Sequence, residues 1–341
     1  MSENPTLPSV FSQPVFITGG SGFIGQELVR HMESKKIPMH LLLRSGHTIE
    51  TTLPTTKVFQ GDILDQSSLL KAMQGCGSVI HLASFVDIWS KNPSQFYEVN
   101  VEGTMNVCSV ALECGIRRLL QVSTAGILGT SPDDGSLNDE DSYRKNRFMN
   151  HYESSKFMGE ERSMRFLQSG LDVVIVYPPR VFGHGQMCKS NGYTTVIDQY
   201  RKGKLRFIPG TGNECGNYVF IDDLIMGILL ALEKGMPGRR YIIGGHNVSF
   251  RDFFRAVARV TGKEYSMIPI PSILMMAFAR ISMGLSFFFG SRPVLTPAYV
   301  ARFRKSYRLS IARAQRELGY FPSPLDEGIK KTIDWLESRK K

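Results

Sequence analysis

The sequence predicts an α/β protein, a doubly wound parallel sheet with a smaller, mainly helical C-terminal lobe. Three observations predict it. Short apolar runs alternate with helix-period stretches through the first half of the chain, and such alternation implies right-handed crossovers and parallel strands. The first apolar run enters a glycine-rich turn, "ITGGSGFIGQELVR", over residues 17–30. Beyond residue 245 the alternation gives way to longer apolar and basic stretches.

Taken in order, the candidate strands are Val15–Thr18, Met39–Leu43, Lys57–Gln60, Ser78–Leu82, Arg118–Ser123 and Val173–Tyr177. Each is a run dominated by apolar or β-branched residues, the pattern of a strand buried on both faces. Between them Gly22–Glu33, Gln66–Met73, Phe96–Cys114 and Tyr152–Ser169 carry apolar residues at helical spacing. "DDLIMGILLALEK" adds a helix and "RYIIGG" a late strand. The 341 residues suffice for two domains or for one domain with a lobe. The expected division is a tail over 1–13, disordered or loosely packed. A dinucleotide-binding domain takes 14–185 and 216–245, and a substrate lobe takes 186–215 and 246–336. That lobe is expected over the carboxyl edge of the sheet, where ligands of open α/β sheets bind.

The glycine turn has the context that a phosphate cradle requires. "PVFIT" precedes it as a strand and "FIGQELVRHME" follows as a helix, with Gly19, Gly22, Phe23, Ile24 and Gly25 in the turn itself. Gly19 and Gly22 allow a tight turn and close approach of the backbone to a pyrophosphate, and Gly25 allows the helix to pack on the strand. The helix N-terminus then faces the anion with free N–H groups. This is the Rossmann arrangement for a nicotinamide dinucleotide. At the end of the second strand an NAD site usually places an acid, whereas "MHLLL" is followed by Arg44. A guanidinium there suits a 2′-phosphate, so NADP(H) is favoured. A surface Arg44 stacked on adenine is compatible with either cofactor, so NAD(H) stays possible.

"HYESSK" places Tyr152 and Lys156 four residues apart at a helix start, on one face. An ammonium beside a phenol favours its ionised form, which makes a general acid/base for interconverting a hydroxyl and a carbonyl. "LLQVSTAG" supplies Thr124, with Ser123 as the alternate, to hydrogen-bond the reacting oxygen. Asn100 in "YEVNVEGT" is a candidate to brace the lysine or an ordered water, or else a cap or turn residue.

Over residues 14 to 336 the chain resembles an extended short-chain dehydrogenase/reductase. The carriers are "TGGSGFIG", "GDILD", "HLAS", "NVEGTMNV", "VSTAGILG", "YESSK", "YPPRVFG", "YVFIDDL" and the final "ELGYFPSPLDEGIKKTIDWL". The resemblance implies pyrophosphate binding by Gly19, Gly22 and Gly25, and adenine contacts by Asp62 and Ile63. It implies Ala83 along the cofactor and Pro179 and Val181 beside the nicotinamide. Thr124, Tyr152 and Lys156 are the implied catalytic triad, with Asn100 in support and Lys156 on the nicotinamide ribose. His81 in "HLAS" is expected to pack.

Dehydratases of this family carry an acid beside the threonine, where this chain has Ala125 and Gly126. Nucleotide-sugar enzymes often carry an arginine near the position of Gly216, for which Arg180 or Arg206 would have to substitute. Dihydroflavonol-4-reductase-like and 3β-hydroxysteroid dehydrogenase-like members are the nearest in wording. The expected activity is therefore redox chemistry on an apolar ketone or secondary alcohol. A nucleotide-sugar epimerase with tightly bound NAD is the alternative, and a non-catalytic dinucleotide-binding regulator a further one.

Composition bounds the partners. The formal net charge of +10 is concentrated from Arg292 to Arg316, a stretch with seven Lys/Arg and no Asp/Glu. No zinc-finger spacing or aromatic RNA-binding strand accompanies it, so a solvated basic face is expected rather than a nucleic-acid site, and no metal. Cys76, Cys108, Cys114, Cys188 and Cys215 form no C-x-x-C pair, which suits reduced thiols in a cytoplasmic compartment. No signal peptide is visible at the N-terminus. Ile273–Phe289, "ILMMAFARISMGLSFFF", is short for a membrane span and carries Arg280 near its middle. It suits a helix lying in a bilayer interface, or equally a buried helix or an apolar wall of the substrate pocket. A homodimer is expected.

Overall fold

The computed structural model describes residues 9–87, 89–145, 148–289 and 291–339. The first half alternates as the apolar runs dictate: β1 Val15–Thr18, α1 Phe23–Ser34, β2 Met39–Leu43, β3 Thr56–Gln60, α2 Gln66–Met73 and β4 Ser78–His81. The predicted helix at 96–114 begins earlier and changes pitch, as α3 Ser94–Tyr97, a π-turn at Glu98–Glu102 and α4 Gly103–Glu113. There follow β5 Arg118–Val122, α5 His151–Met164 and β6 Asp172–Tyr177, with a 3₁₀ turn, Arg165–Ser169, finishing the helix after α5.

The second half is β7 Arg180–Phe182, α6 Gly192–Arg201, β8 Phe207–Pro209, β9 Cys215–Phe220, α7 Ile221–Lys234, β10 Arg240–Ile242, β11 His246–Ser249 and α8 Phe250–Thr261. It ends with β12 Ile268–Ile270, α9 Ser272–Phe289, α10 Pro297–Arg302, α11 Ala312–Leu318 and α12 Leu325–Ser338.

Seven strands form one parallel sheet in the order β10-β6-β5-β4-β1-β2-β3. Alternate side chains on each strand face opposite layers. Val15 and Ile17 join Leu41, Ile80 and Val176 under α1 and α7. Phe16 joins Leu42, Val79 and Ile175 against the residues of α2 and α4. The order reverses between β1 and β4, and the crevice at their carboxyl ends is where such sheets take ligands. Two smaller sheets, β11-β9-β7 and β12-β8, lie outside it.

Two sequence expectations are corrected. Within the predicted tail, Ser9–Phe11 forms a 3₁₀ turn that buries Phe11 in the first core layer, because an aromatic ring beside β1 gains more from burial than from solvent. Residues 1–8 lie outside the described residues. The buried alternative for the apolar segment also fails. α9 has a mean hydropathy of 1.7, yet only 17% of it is buried, and Phe287, Phe288 and Phe289 are 85%, 82% and 77% exposed. Ala279, Ser282 and Ser286, all small, are its buried side chains.

Candidate active site

β1 hands the chain directly to the glycine turn. Gly19 has φ +74°, and a Cβ there would meet Ala83 N at 2.6 Å; a Cβ on Gly25 would meet Gly20 Cα at 2.7 Å and the Gly19 carbonyl. Backbone cannot yield, so only glycine fits at either place. Gly22 caps α1 without a side-chain acceptor. The first N–H groups of that helix are therefore free for an anion.

The turn floors a cleft of about 480 Å³, within the ~300–1,000 Å³ range of small-molecule sites. Gly19, Gly22, Phe23, Ile24, Gly25, Arg44, Asp62, Ile63, Ala83, Ser123, Tyr152 and Lys156 line it; Thr124, Asn100, Pro179 and Val181 do not. This cradle and cleft fit a dinucleotide. Asp62 is the only carboxylate among these lining residues, and its Oδ1 accepts from Leu64 N at 2.9 Å within its own turn. Arg44 and His47 line the end beyond β2.

α5 carries the proton-transfer groups. Asn150 caps it, accepting from Glu153 N at 2.8 Å. Tyr152, Lys156 and Glu160 then follow at four-residue intervals along one face. Lys156 is buried and Nζ donates to Val122 O at 2.8 Å. Thr124 sits where β5 ends, its Oγ1 accepting from Gly126 N at 3.1 Å, and its side chain draws the Tyr152 phenol down. Ser123, the alternate to Thr124, turns the other way. Its hydroxyl donates to Glu160, so this donor is spent inside the fold.

Asn100 braces neither Lys156 nor a cap. Its Oδ1 accepts from Ser84 Oγ and Phe85 N, and its Nδ2 donates to Phe85 O and to Ser155 Oγ at 2.9 Å. It ties the loop after β4 to α5, next to the lysine. Ala125 N donates to Pro178 O at 3.0 Å, which sets Pro179 and the buried Val181 just beyond Thr124. His81 packs as expected, between Thr18 Oγ1 at 2.7 Å and Thr104 Oγ1 at 3.1 Å. Burial, with Lys156 nearby, holds its pKa down to about 3.

Burial pushes the Tyr152 phenol up to about 12, and Thr124 and the Arg302 guanidinium draw it back. The Lys156 ammonium is turned to the Val122 carbonyl and shares its field with Glu160. Burial lowers Lys156 and raises Glu160, while each charge holds the other ionised. At neutral pH Tyr152 is thus a protonated donor.

Sequence reading missed three members of this site. Glu160, fully buried, accepts from Ser123 and from Tyr177 OH at 2.8 Å and lies 3.7 Å from Arg240 Nε. Its spacing after Tyr152 and Lys156 was the available signal. Glu153 pairs with Arg302 of α10 at 3.2 Å, joining the C-terminal part to the start of α5. No local pattern signals a contact across that separation.

The chain is 28% identical to a putative dihydroflavonol 4-reductase of Synechocystis, over 95% of this chain and 94% of that protein. It is 28% identical to a 3beta-hydroxysteroid-dehydrogenase/decarboxylase of Arabidopsis thaliana, over 93% and 78%. The solved structure of gox2253 superposes with a TM-score of 0.78 at 26% identity, over 96% and 98%. The NAD dependent epimerase/dehydratase family matches residues 15–244. The chain belongs to that family, as an extended short-chain dehydrogenase/reductase and an NAD(P)-dependent oxidoreductase.

Proposed function

We propose that this enzyme uses NADP(H) to interconvert a ketone and a secondary alcohol on an apolar, steroid-, flavonoid- or lipid-like substrate. The observation that carries the reading is that Tyr152 and buried Lys156, one helical turn apart, line the cleft floored by the glycine cradle. A nicotinamide dinucleotide in the cleft supplies or accepts the hydride. Gly19, Gly22 and Gly25 hold its pyrophosphate and Arg44 its 2′-phosphate, on the side of the cleft where β2 ends without an acid. Tyr152 delivers its proton to the carbonyl oxygen and Thr124 bonds that oxygen, both from fixed positions. Lys156 fixes the charge beneath them.

The names of the two curated relatives support a polycyclic substrate. Arg206, one candidate diphosphate ligand, is exposed and stacked 3.9 Å from the Tyr265 ring centroid. Supplied with NADPH and a panel of apolar ketones, the enzyme should consume NADPH stoichiometrically. Epimerisation of a nucleotide sugar without net cofactor consumption would replace this reading by the epimerase one.

The same reading gives α9 an anionic bilayer surface as its partner. Its exposed phenylalanines form an apolar patch of the kind that marks an interface, and the stretch that follows is basic without a single acid up to Arg316. The enzyme should float with phosphatidylserine vesicles, and Phe287→Glu with Phe288→Glu should abolish flotation. Equal flotation of that variant removes the assignment.

A further inference from the structure

Arg180 is a cation without an acid. It opens β7, and Nη1 donates to Tyr218 OH at 2.9 Å. Three rings surround the guanidinium, Tyr193, Tyr218 and Phe250, at 5.6, 5.2 and 4.8 Å to their centroids. Among the described residues no carboxylate lies within ion-pair distance of it. Among the described residues its other N–H groups have no acceptor, and the residue is only partly buried. A buried or ring-enclosed charge is costly to leave unpaired.

The sequence makes room for it. A Cβ on Gly216, two residues before Tyr218 on β9, would collide with the Arg180 guanidinium. Pro178, two residues before Arg180, is bonded by Ala125 N beside Thr124, so Arg180 starts about 7 Å of extended chain further on. Phe250, which faces Arg180, packs against Phe303 at 5.7 Å; Tyr299 packs on the same Phe303 at 5.0 Å, and the Tyr307 ring lies 5.4 Å from the Arg302 guanidinium. Burial raises both phenols and both guanidiniums draw them back, and Arg302 acts on Tyr152 as well. Arg180 therefore stands just past Thr124 along the chain, connected through these rings to Arg302 and so to Glu153 at the start of α5.

We propose that Arg180, seated over Gly216 in a box of aromatic rings, anchors a carboxylate on the substrate. This rests on the oxidoreductase reading and narrows its substrate class to apolar, ring-bearing molecules that carry one anionic group. The charge count selects a carboxylate over a diphosphate. Arg302 is already paired with Glu153, which leaves one guanidinium whose planar fork matches one carboxylate. The rings supply the apolar walls.

The test is calorimetric titration of the NADPH-saturated enzyme with cholate, with its methyl ester and with uridine diphosphate. Wild type should bind cholate at least tenfold more tightly than the ester. Arg180→Met should erase the preference and Arg180→Lys should retain part of it. Gly216→Ser, which displaces the guanidinium with its charge intact, should reproduce the loss and serves if Arg180→Met does not fold. Equal affinity for acid and ester in wild type, or a preference kept in Arg180→Met, overturns the proposal. So does tighter binding of uridine diphosphate than of cholate, which would assign the site to a diphosphate. Tyr152→Phe should keep the cholate preference, so failure of the anion site and failure of the redox reading register separately.

Discussion

Replacing Glu160 by Gln removes one charge from beneath the proton-transfer site and, with it, the ion pair to Arg240. The amide oxygen still accepts from Ser123 and the amide nitrogen can donate to Tyr177, so the fold keeps its hydrogen bonds. Lys156 loses the carboxylate that holds it protonated against burial. Side chains at i and i+4 stand about 6 Å apart, and at an effective dielectric near 20 that separation is worth about 2.8 kcal/mol, or ~2 pK units. The direction follows from the sign: removing a negative neighbour lowers the pKa of an ammonium. The alkaline limb of kcat/KM for ketone reduction, where Lys156 loses its proton, should therefore move about two units toward acid in Glu160→Gln. Ser123→Ala, which leaves the charge in place, should move it far less. A limb unchanged in Glu160→Gln would show that Glu160 does not set the state of Lys156, and the argument would fail.

Gly25→Ala drives a Cβ into the Gly19 carbonyl and Gly20 Cα and should cost roughly 2–4 kcal/mol in denaturant unfolding, together with most dinucleotide affinity. His184 lies between Glu27 at 2.9 Å and Asp222 at 2.7 Å, and these partners, outweighing burial, raise its pKa to about 9. Its contribution is complete below the unfolded value near 6.5 and is lost as pH rises through about 9. In urea unfolding this should contribute ~1–2 kcal/mol to the loss of stability between pH 6 and pH 10, a loss that His184→Gln should reduce by that amount. Glu153 raises the Tyr152 phenol, so Glu153→Gln should move the acid limb of alcohol oxidation to lower pH.

The parallel sheet was legible because its strands, the edge strand β3 apart, are buried on both faces. Runs such as Val15–Thr18 and Met39–Leu43 contain little but apolar side chains, and the predicted ends fall within a residue of those observed. The smaller sheets were not. Phe207–Pro209 and Ile268–Ile270 are three residues each, and Ile268–Ile270 is largely exposed, so neither carries a period. The glycine cradle was legible because its constraint is local, a positive φ and close backbone passage within a few residues. The direction of Ser123 was not, since it depends on Glu160, a residue 37 positions away. The α9 segment was visible as apolar, but its exposure depends on what packs against it, and composition is silent on that.

The proposed proton transfer stands most directly on Tyr152. The decisive measurement is NADPH consumption with an apolar ketone by wild type and by Tyr152→Phe, alongside the NADPH dissociation constant of each. The ring alone changes by one hydroxyl, so binding should stay within a few-fold while kcat falls by ~10²–10⁴. Turnover by Tyr152→Phe at the wild-type rate, with NADPH still bound, would contradict it.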